Sequence, residues 1–308
     1  MTMRFGAAYW VQRTGWPDLR EAVLHAEACG FDDLWIDDHL LCDEGPWSDP
    51  KLEGWSTLAA VAAVTTRPRL GLMVAANTLR NPGLTAKITT TVDHISGGRA
   101  ILGIGAGWFE REHEAFGFEF GAGFGERLDR LGEAVPLIRR LLDGERVTHD
   151  GRFYRFDDTV CAPRPIQAHL QILIGGSGPK KTLPLVARHG DMWNAYGTPE
   201  ELAVSDAILR TACVAAGRDE REIERTVNVN VVIRRDRADA ERAWREWMTL
   251  HVPQEGEDRL DAAGTVDDVA AVLARYLDVG FAHPVLIFRR PFDLETMDRL
   301  PELRATLA

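Results

Sequence analysis

Residues 69–107, RLGLMVAANTLRNPGLTAKITTTVDHISGGRAILGIGAG, read as strand, helix and strand in succession. The run 69–75 is mostly apolar. Leu84, Ile88, Val92 and Ile95 then recur at helical spacing on one face, Gly97-Gly98 stops that helix, and 99–104 is apolar again. Two short apolar strands joined by a helix make a parallel βαβ unit, because parallel neighbours need a crossover connection.

The alternation extends in both directions. Towards the N-terminus it predicts a strand at 4–8, a helix at 17–29 with Pro17 near its start and Gly30 past its end, a strand at 33–36 and a helix at 55–65. Towards the C-terminus, Leu128, Leu131, Val135, Ile138 and Leu142 form the apolar stripe of a helix at 126–143, which Pro136 is expected to kink. Strands at 170–174, 192–195, 226–232 and 284–288 then alternate with helices at 183–189, 199–216, 238–250 and 266–278. The segment 147–160, VTHDGRFYRFDDTV, alternates around Asp150-Gly151 and reads as a hairpin inserted beside the sheet. Eight strands, nearly all followed by helices, predict an α/β fold, a single (β/α)8 TIM barrel over 1–308, rather than an open doubly wound sheet. The charged stretch 235–264 reads as a mobile loop over the barrel mouth or as plain solvated surface.

The composition, 45% hydrophobic and 27% charged, is that of a globular chain able to bury a large core. A net charge of -11 works against non-specific binding to nucleic acid or to an anionic membrane. With no membrane-length apolar run and no signal-peptide layout in MTMRFGAAYW, the expectation is a cytoplasmic enzyme. Cys29, Cys42, Cys161 and Cys213 show no metal-ligand spacing and read as reduced thiols.

In such a barrel the loops after the strands converge on the active site. They carry Asp37-Asp38-His39, Asn77-Thr78, Gly105-Ala-Gly107-Trp108, Gly175-Gly176-Ser177-Gly178 and Trp193-Asn194. The glycine turn at 175–178 reads as a phosphate cradle at a helix N-terminus, with Lys180 and Lys181 as added charges, or as a tight βα turn. His39 beside Asp38 reads as a proton relay whose orientation and pKa that carboxylate sets, or as a hydrogen-bonded structural histidine. Asp37 reads equally as a loop cap. Trp47, Trp108 and Trp193 could wall a flat ring, or belong to the core. His113, within Glu110-Arg-Glu-His113-Glu114, reads as an exposed acidic helix end.

Taken together, FDDLWIDDHL (31–40), LEGWSTLAA (52–60), RLGLMVAANTLRNPGLTAK (69–87), VDHISGGRAILGIGAGWFEREHEAFG (92–117), ILIGGSGPKKTL (172–183), ARHGDMWNAYG (187–197) and GTVDDVAAVLARYLDVG (264–280) resemble the luciferase-like flavin and deazaflavin oxidoreductases, specifically the coenzyme F420 subgroup. The blocks run in order over nearly the whole chain. The resemblance implies a bacterial luciferase-like barrel with a non-proline cis peptide at Met73-Val74 serving as a backstop for the cofactor ring. It implies that Asp38 and His39 line the ring face, with His39 as proton donor or acceptor. It also implies that Asn77 and Thr78 edge the pocket, that Gly107 and Trp108 lie across it, and that Gly175, Gly176 and Ser177 take the cofactor phosphate. Two departures stand out. Trp108 occupies the position where glucose-6-phosphate-oxidising relatives carry glutamate, and Pro184 would break a helix beginning at Pro179.

Three functions remain open on the sequence. The first is an F420-dependent oxidoreductase acting on a small organic substrate, favoured by a basic groove near Lys180, Lys181 and Arg188 for the acidic F420 tail. The second is an FMN-dependent monooxygenase fed by a separate flavin reductase, favoured where that groove is absent. The third is a non-catalytic flavin-binding barrel. Relatives of the resembled family are often homodimers.

Overall fold

The computed structural model describes residues 3–251 and 262–308. The first half of the chain runs β1 (Gly6–Tyr9), α1 (Trp16–Cys29), β2 (Asp33–Ile36), α2 (Gly54–Val64), β3 (Arg69–Leu72), β4 (Ala75–Ala76), α3 (Pro82–Ser96), β5 (Ala100–Gly105), α4 (Glu110–Phe116) and α5 (Phe124–Leu142). After the antiparallel hairpin β6 (Val147–Asp150) and β7 (Arg155–Thr159) come β8 (Ile172–Gly175), α6 (Thr182–His189), β9 (Met192–Ala195), α7 (Pro199–Ala216) and β10 (Glu224–Ile233). The chain closes with α8 (Arg237–His251), β11 (Ala262–Gly264), α9 (Val266–Asp278), β12 (His283–Phe288), α10 (Leu294–Asp298) and α11 (Leu300–Thr306).

Parallel pairing in the order β1-β2-β3-β5-β8-β9-β10-β12 and back to β1 closes an eight-stranded barrel. β4 continues β3 against β5 beyond a cis Met73–Val74 peptide, so the strand read at 69–75 is divided in two. Local chemistry sets the helix ends. In α3, Asn81 accepts the Gly83 amide, Pro82 fills the first turn, and Gly97 terminates the helix in the left-handed conformation. α5 runs through Pro136, whose missing N–H leaves the Gly132 carbonyl without its helical donor. α6 begins at Thr182, and Pro184 sits harmlessly in its first turn. Within the charged stretch 235–264, the helix read at 238–250 is α8 (Arg237–His251), and residues 252–261 lie outside the described residues.

Because side chains alternate along a strand, the sheet has two different cores. Ala8, Trp10, Trp35, Met73, Ile101, Leu173, Met192, Val285 and Ile287 pack together inside the barrel. Their neighbours, among them Leu34, Ile36, Leu70, Leu72, Leu102, Ile104 and Trp193, face the helices. The Trp35 indole fills the interior, and the glycines of β3 and β5 make room for it: a Cβ at Gly71 would collide with the ring.

At the N-terminal end of the barrel Arg69 and His283 meet Asp33 and Glu224. Arg69 Nη2 is 3.0 Å from Asp33 Oδ2, His283 Nε2 is 2.6 Å from the same carboxylate, and His283 Nδ1 is 2.8 Å from Glu224 Oε1. Burial opposes charge on His283, but the two carboxylates outweigh it and raise its pKa above the ordinary imidazole value. A raised folded-state pKa stabilises fully below the unfolded value near ~6.5 and is lost as pH climbs through the folded value. His283→Gln is therefore expected to cost about 3 kcal/mol at pH 6 in urea unfolding, a difference that shrinks towards alkaline pH. A gap independent of pH would exclude a charged His283.

Candidate functional site

At the C-terminal strand ends His39 meets Trp108 and Phe109, while Val74, Thr78, Gly105, Gly107 and Gly175 pack against one another. Its ring lies edge-on to Trp108 at 5.3 Å and to Phe109 at 5.7 Å, and the two aromatic rings stack on each other. Trp108 is 60% exposed, so an open indole face flanks the histidine.

The carboxylate that orients His39 is Glu112, not Asp38. Glu112, almost wholly buried on α4, places Oε1 3.1 Å from His39 Nδ1, and its Oε2 accepts the Leu40 amide at 2.7 Å. A carboxylate only accepts, so Nδ1 carries hydrogen and Nε2 is left to face a ligand. Asp43 Oδ2 stands 3.9 Å from Nε2, beyond hydrogen-bond reach. Burial pulls the pKa of His39 down, but the Glu112 hydrogen bond and the charges of Asp43 and Glu112 prevail over it and over Lys51, and the pKa is raised. Lys51 is itself pinned between Asp37 and Asp43.

Asp38 does different work. Its Oδ2 accepts the Ala76 amide at 2.9 Å, Arg80 grips both oxygens at 2.6 and 2.9 Å, and the side chain is buried. With both oxygens engaged it has none to spare for His39; it ties the β2 loop to the residues following the cis peptide. Asp37 accepts the Val11 amide at 2.9 Å, the loop-anchoring alternative read from the sequence.

Val74, at the cis bond, lies against glycines. A Cβ at Gly105 would sit 2.7 Å from Val74 Cγ2 and one at Gly175 3.1 Å from it, while one at Gly107 would strike Thr78 Oγ1. Gly107 also has φ +80°, which disfavours any side chain. The Val74 side chain thus packs directly on the backbone of Gly105 and Gly175. Asn77 donates through Nδ2 to the Tyr154 hydroxyl of the hairpin at 3.0 Å, and its buried Oδ1 has no partner. Thr78 Oγ1 lies 2.7 Å from His113 Nε2, whose Nδ1–H donates to the Phe109 carbonyl. Glu110, Arg111 and Glu114 are exposed as the sequence suggests, but His113 and Glu112 between them are buried.

Trp193 is a correction too. It is fully buried on the helix-facing side of β9, where it packs on Phe281 at 5.2 Å and donates to the Gly176 carbonyl at 2.8 Å. It shapes the glycine turn from behind rather than walling a pocket. Trp47 lies under Arg111, 4.9 Å from its guanidinium carbon. The Gly176 amide is spent on Asn194 O at 3.0 Å, whereas among the described residues the Ser177 and Gly178 amides have no partner.

The expected basic groove does not form. Lys181 is committed to Asp129 at 2.5 Å and to the Gly125 carbonyl, and Arg188 lies in the last turn of α6, at the opposite end of the barrel. Instead, Arg127 of α5 is buried with its guanidinium 3.8 Å from the Phe120 ring centre and its Nε donating to the Gly107 carbonyl at 3.1 Å. No carboxylate pairs with it among the described residues. Arg127 thus sets a positive charge beside the Gly107 turn, with Glu110 acting on it only through space.

Residues 2–283 match the family model described as luciferase-like monooxygenase. The chain belongs to the luciferase-like monooxygenase family. Within it, the chain is 33% identical to an F420-dependent glucose-6-phosphate dehydrogenase from Kineococcus radiotolerans, over 89% of this chain and 87% of that one. It is 31% identical to an F420-dependent hydroxymycolic acid dehydrogenase from Mycobacterium tuberculosis, over 82% and 71%. In fold it is similar to an F420-dependent secondary alcohol dehydrogenase solved with an F420-acetone adduct, with TM-score 0.85, 21% identity and full coverage of both chains. Among the described residues of this luciferase-like chain no helix is long and apolar enough to cross a membrane.

Proposed function

We propose that this chain is a coenzyme F420-dependent oxidoreductase exchanging a hydride between the deazaflavin and a small organic substrate. The observation that carries the reading is the His39–Glu112 pair flanked by the open Trp108 indole, with the relatives' F420 dependence naming the cofactor. The residues fit that group: Val74, packed on Gly105 and Gly175, would back a planar ring, the unpartnered Asn77 Oδ1 would accept a hydrogen from it, and the Arg127 guanidinium together with the Ser177 and Gly178 amides would hold its phosphate. Bound deazaflavin supplies a carbon that accepts or releases hydride. The protein moves the proton. In the oxidising direction His39 Nε2 takes the substrate hydroxyl proton while Nδ1–H stays on Glu112, and the resulting imidazolium is balanced by Glu112 and Asp43.

Titration with purified F420 and with FMN, followed by fluorescence quenching, tests the cofactor. F420 is expected to bind the more tightly; binding of FMN alone would replace this reading by a reduced-flavin monooxygenase, and binding of neither by a non-catalytic barrel.

Glu112→Gln separates positioning from structure. It keeps the hydrogen-bonding shape but removes the charge that supports imidazolium, so the His39 limb of the kcat/KM profile for oxidation should move to lower pH. An unmoved limb would detach Glu112 from the proton step.

The substrate is expected to be uncharged. Near the mouth Arg289 is gripped by Glu44 at 2.7 Å and by Asn230 at 2.8 Å, Lys51 by Asp37 and Asp43, and Arg13 by Asp49 at 2.8 Å. Asn194, Asn228 and Tyr196 add a hydrogen-bonded amide and phenol layer above Met192. Neutral alcohols should therefore reduce F420 faster than glucose 6-phosphate at equal concentration; a preference for the sugar phosphate would reverse the assignment.

A further inference from the structure

We propose that His25, Cys29 and Asp298 form a zinc-class metal site that clips the first helix of the barrel to the last part of the chain. His25 and Cys29 are four residues apart on α1 and so share one face. Asp298, at the end of α10, reaches that face from 269 residues beyond Cys29. Its Oδ1 lies 2.8 Å from His25 Nε2 and 3.7 Å from Cys29 Sγ, and the three donors all lie within 4.8 Å of one another.

Tetrahedral zinc with bonds of about 2.0–2.3 Å needs donors about 3.3–3.8 Å apart. The sulfur–oxygen pair already has that spacing, and the nitrogen–oxygen pair needs to open by about half an ångström, which the exposed Asp298 side chain permits. The donor set is one nitrogen, one sulfur and one oxygen, which suits zinc over calcium or magnesium. A thiolate and a carboxylate exactly offset a divalent ion, the imidazole binding neutral. Loading takes up one metal ion and releases the Cys29 proton to solvent, with no change of oxidation state. The fourth position opens to water on the half-exposed side.

Without metal the thiol is not a nucleophile: burial, then the Asp298 charge and hydrogen bond, push it up to about 11. The site lies at the end of the barrel away from His39, since α1 runs from the mouth to the base, so it is separable from catalysis. Sequence spacing hides it, because Asp298 joins only when the barrel closes.

The test uses the full chain without an affinity tag. Titration with cobalt(II) is expected to give a thiolate-to-cobalt band in the near ultraviolet that saturates at one equivalent and is discharged by zinc. Cys42, Cys161 and Cys213 are buried, so the band reports Cys29. Cys29→Ser should abolish it, and His25→Gln or Asp298→Asn should weaken cobalt binding by about 100-fold or more, since even outer-shell losses cost 10–100-fold. Zinc should raise the Tm of the wild type and leave that of Cys29→Ser unchanged. Absence of the near-ultraviolet band, or its persistence in Cys29→Ser, overturns the site; metal-free variants keeping the wild-type Tm show that either result is read on folded protein.

Discussion

Alanine at position 39 is expected to lower kcat by about 10²–10⁴-fold, the range spanned by loss of a positioned acid–base group. The prediction rests on geometry. Among the described residues Nε2 of His39 has no protein hydrogen bond, while Nδ1 is fixed on Glu112. Removing the ring leaves Glu112 with only the Leu40 amide, so a stability loss of about 1–3 kcal/mol is expected alongside. His39→Gln, which preserves a donor to Glu112 but transfers no proton, separates the two effects: it should recover stability and not kcat. F420 affinity should hold in both, and added imidazole should restore part of the rate in the alanine variant. A kcat within tenfold of wild type for His39→Gln would take the residue out of the proton step.

Arg127→Met is expected to weaken F420 binding by about 10–100-fold, the equivalent of one charge-assisted contact of about 1.5–3 kcal/mol. Methionine keeps the contact with Phe120 and removes the charge. Because that charge is buried and makes no ion pair among the described residues, its loss should leave the apo protein as stable as before or more so. The loss should appear in the cofactor Kd, fall with rising salt and be far smaller in kcat at saturation. A Kd within twofold of wild type would place the phosphate elsewhere, with Ser177 and Gly178 acting alone.

The barrel and the map of its mouth were readable in the sequence, because strand count and helix caps are local signals: Pro82 and Gly97 bracket α3 much as the pattern predicts. The partners of the site were not. Adjacency in sequence suggests pairing Asp38 with His39, yet adjacent residues leave a strand end in opposite directions; Asp38 finds Arg80, and His39 finds Glu112, 73 residues away. Trp193 failed for want of phase. Alternation says only that Met192 and Trp193 face opposite ways, and closure of the barrel puts Met192 inside. The basic groove does not form because Lys181 precedes the first turn of α6 and Arg188 lies in its last, whereas Arg127 gives no sign in an ordinary amphipathic stripe.

One short helix has a wider consequence. α4 delivers neighbouring residues to separate tasks, Glu112 to the imidazole of His39 and His113 to the hydroxyl of Thr78. A single inserted or deleted residue between Gly107 and Gly117 would turn both side chains through about 100° and break both contacts together. Loop-length variation is therefore forbidden at this corner of the mouth, and redesign of the enzyme for new substrates has to work through the opposite rim.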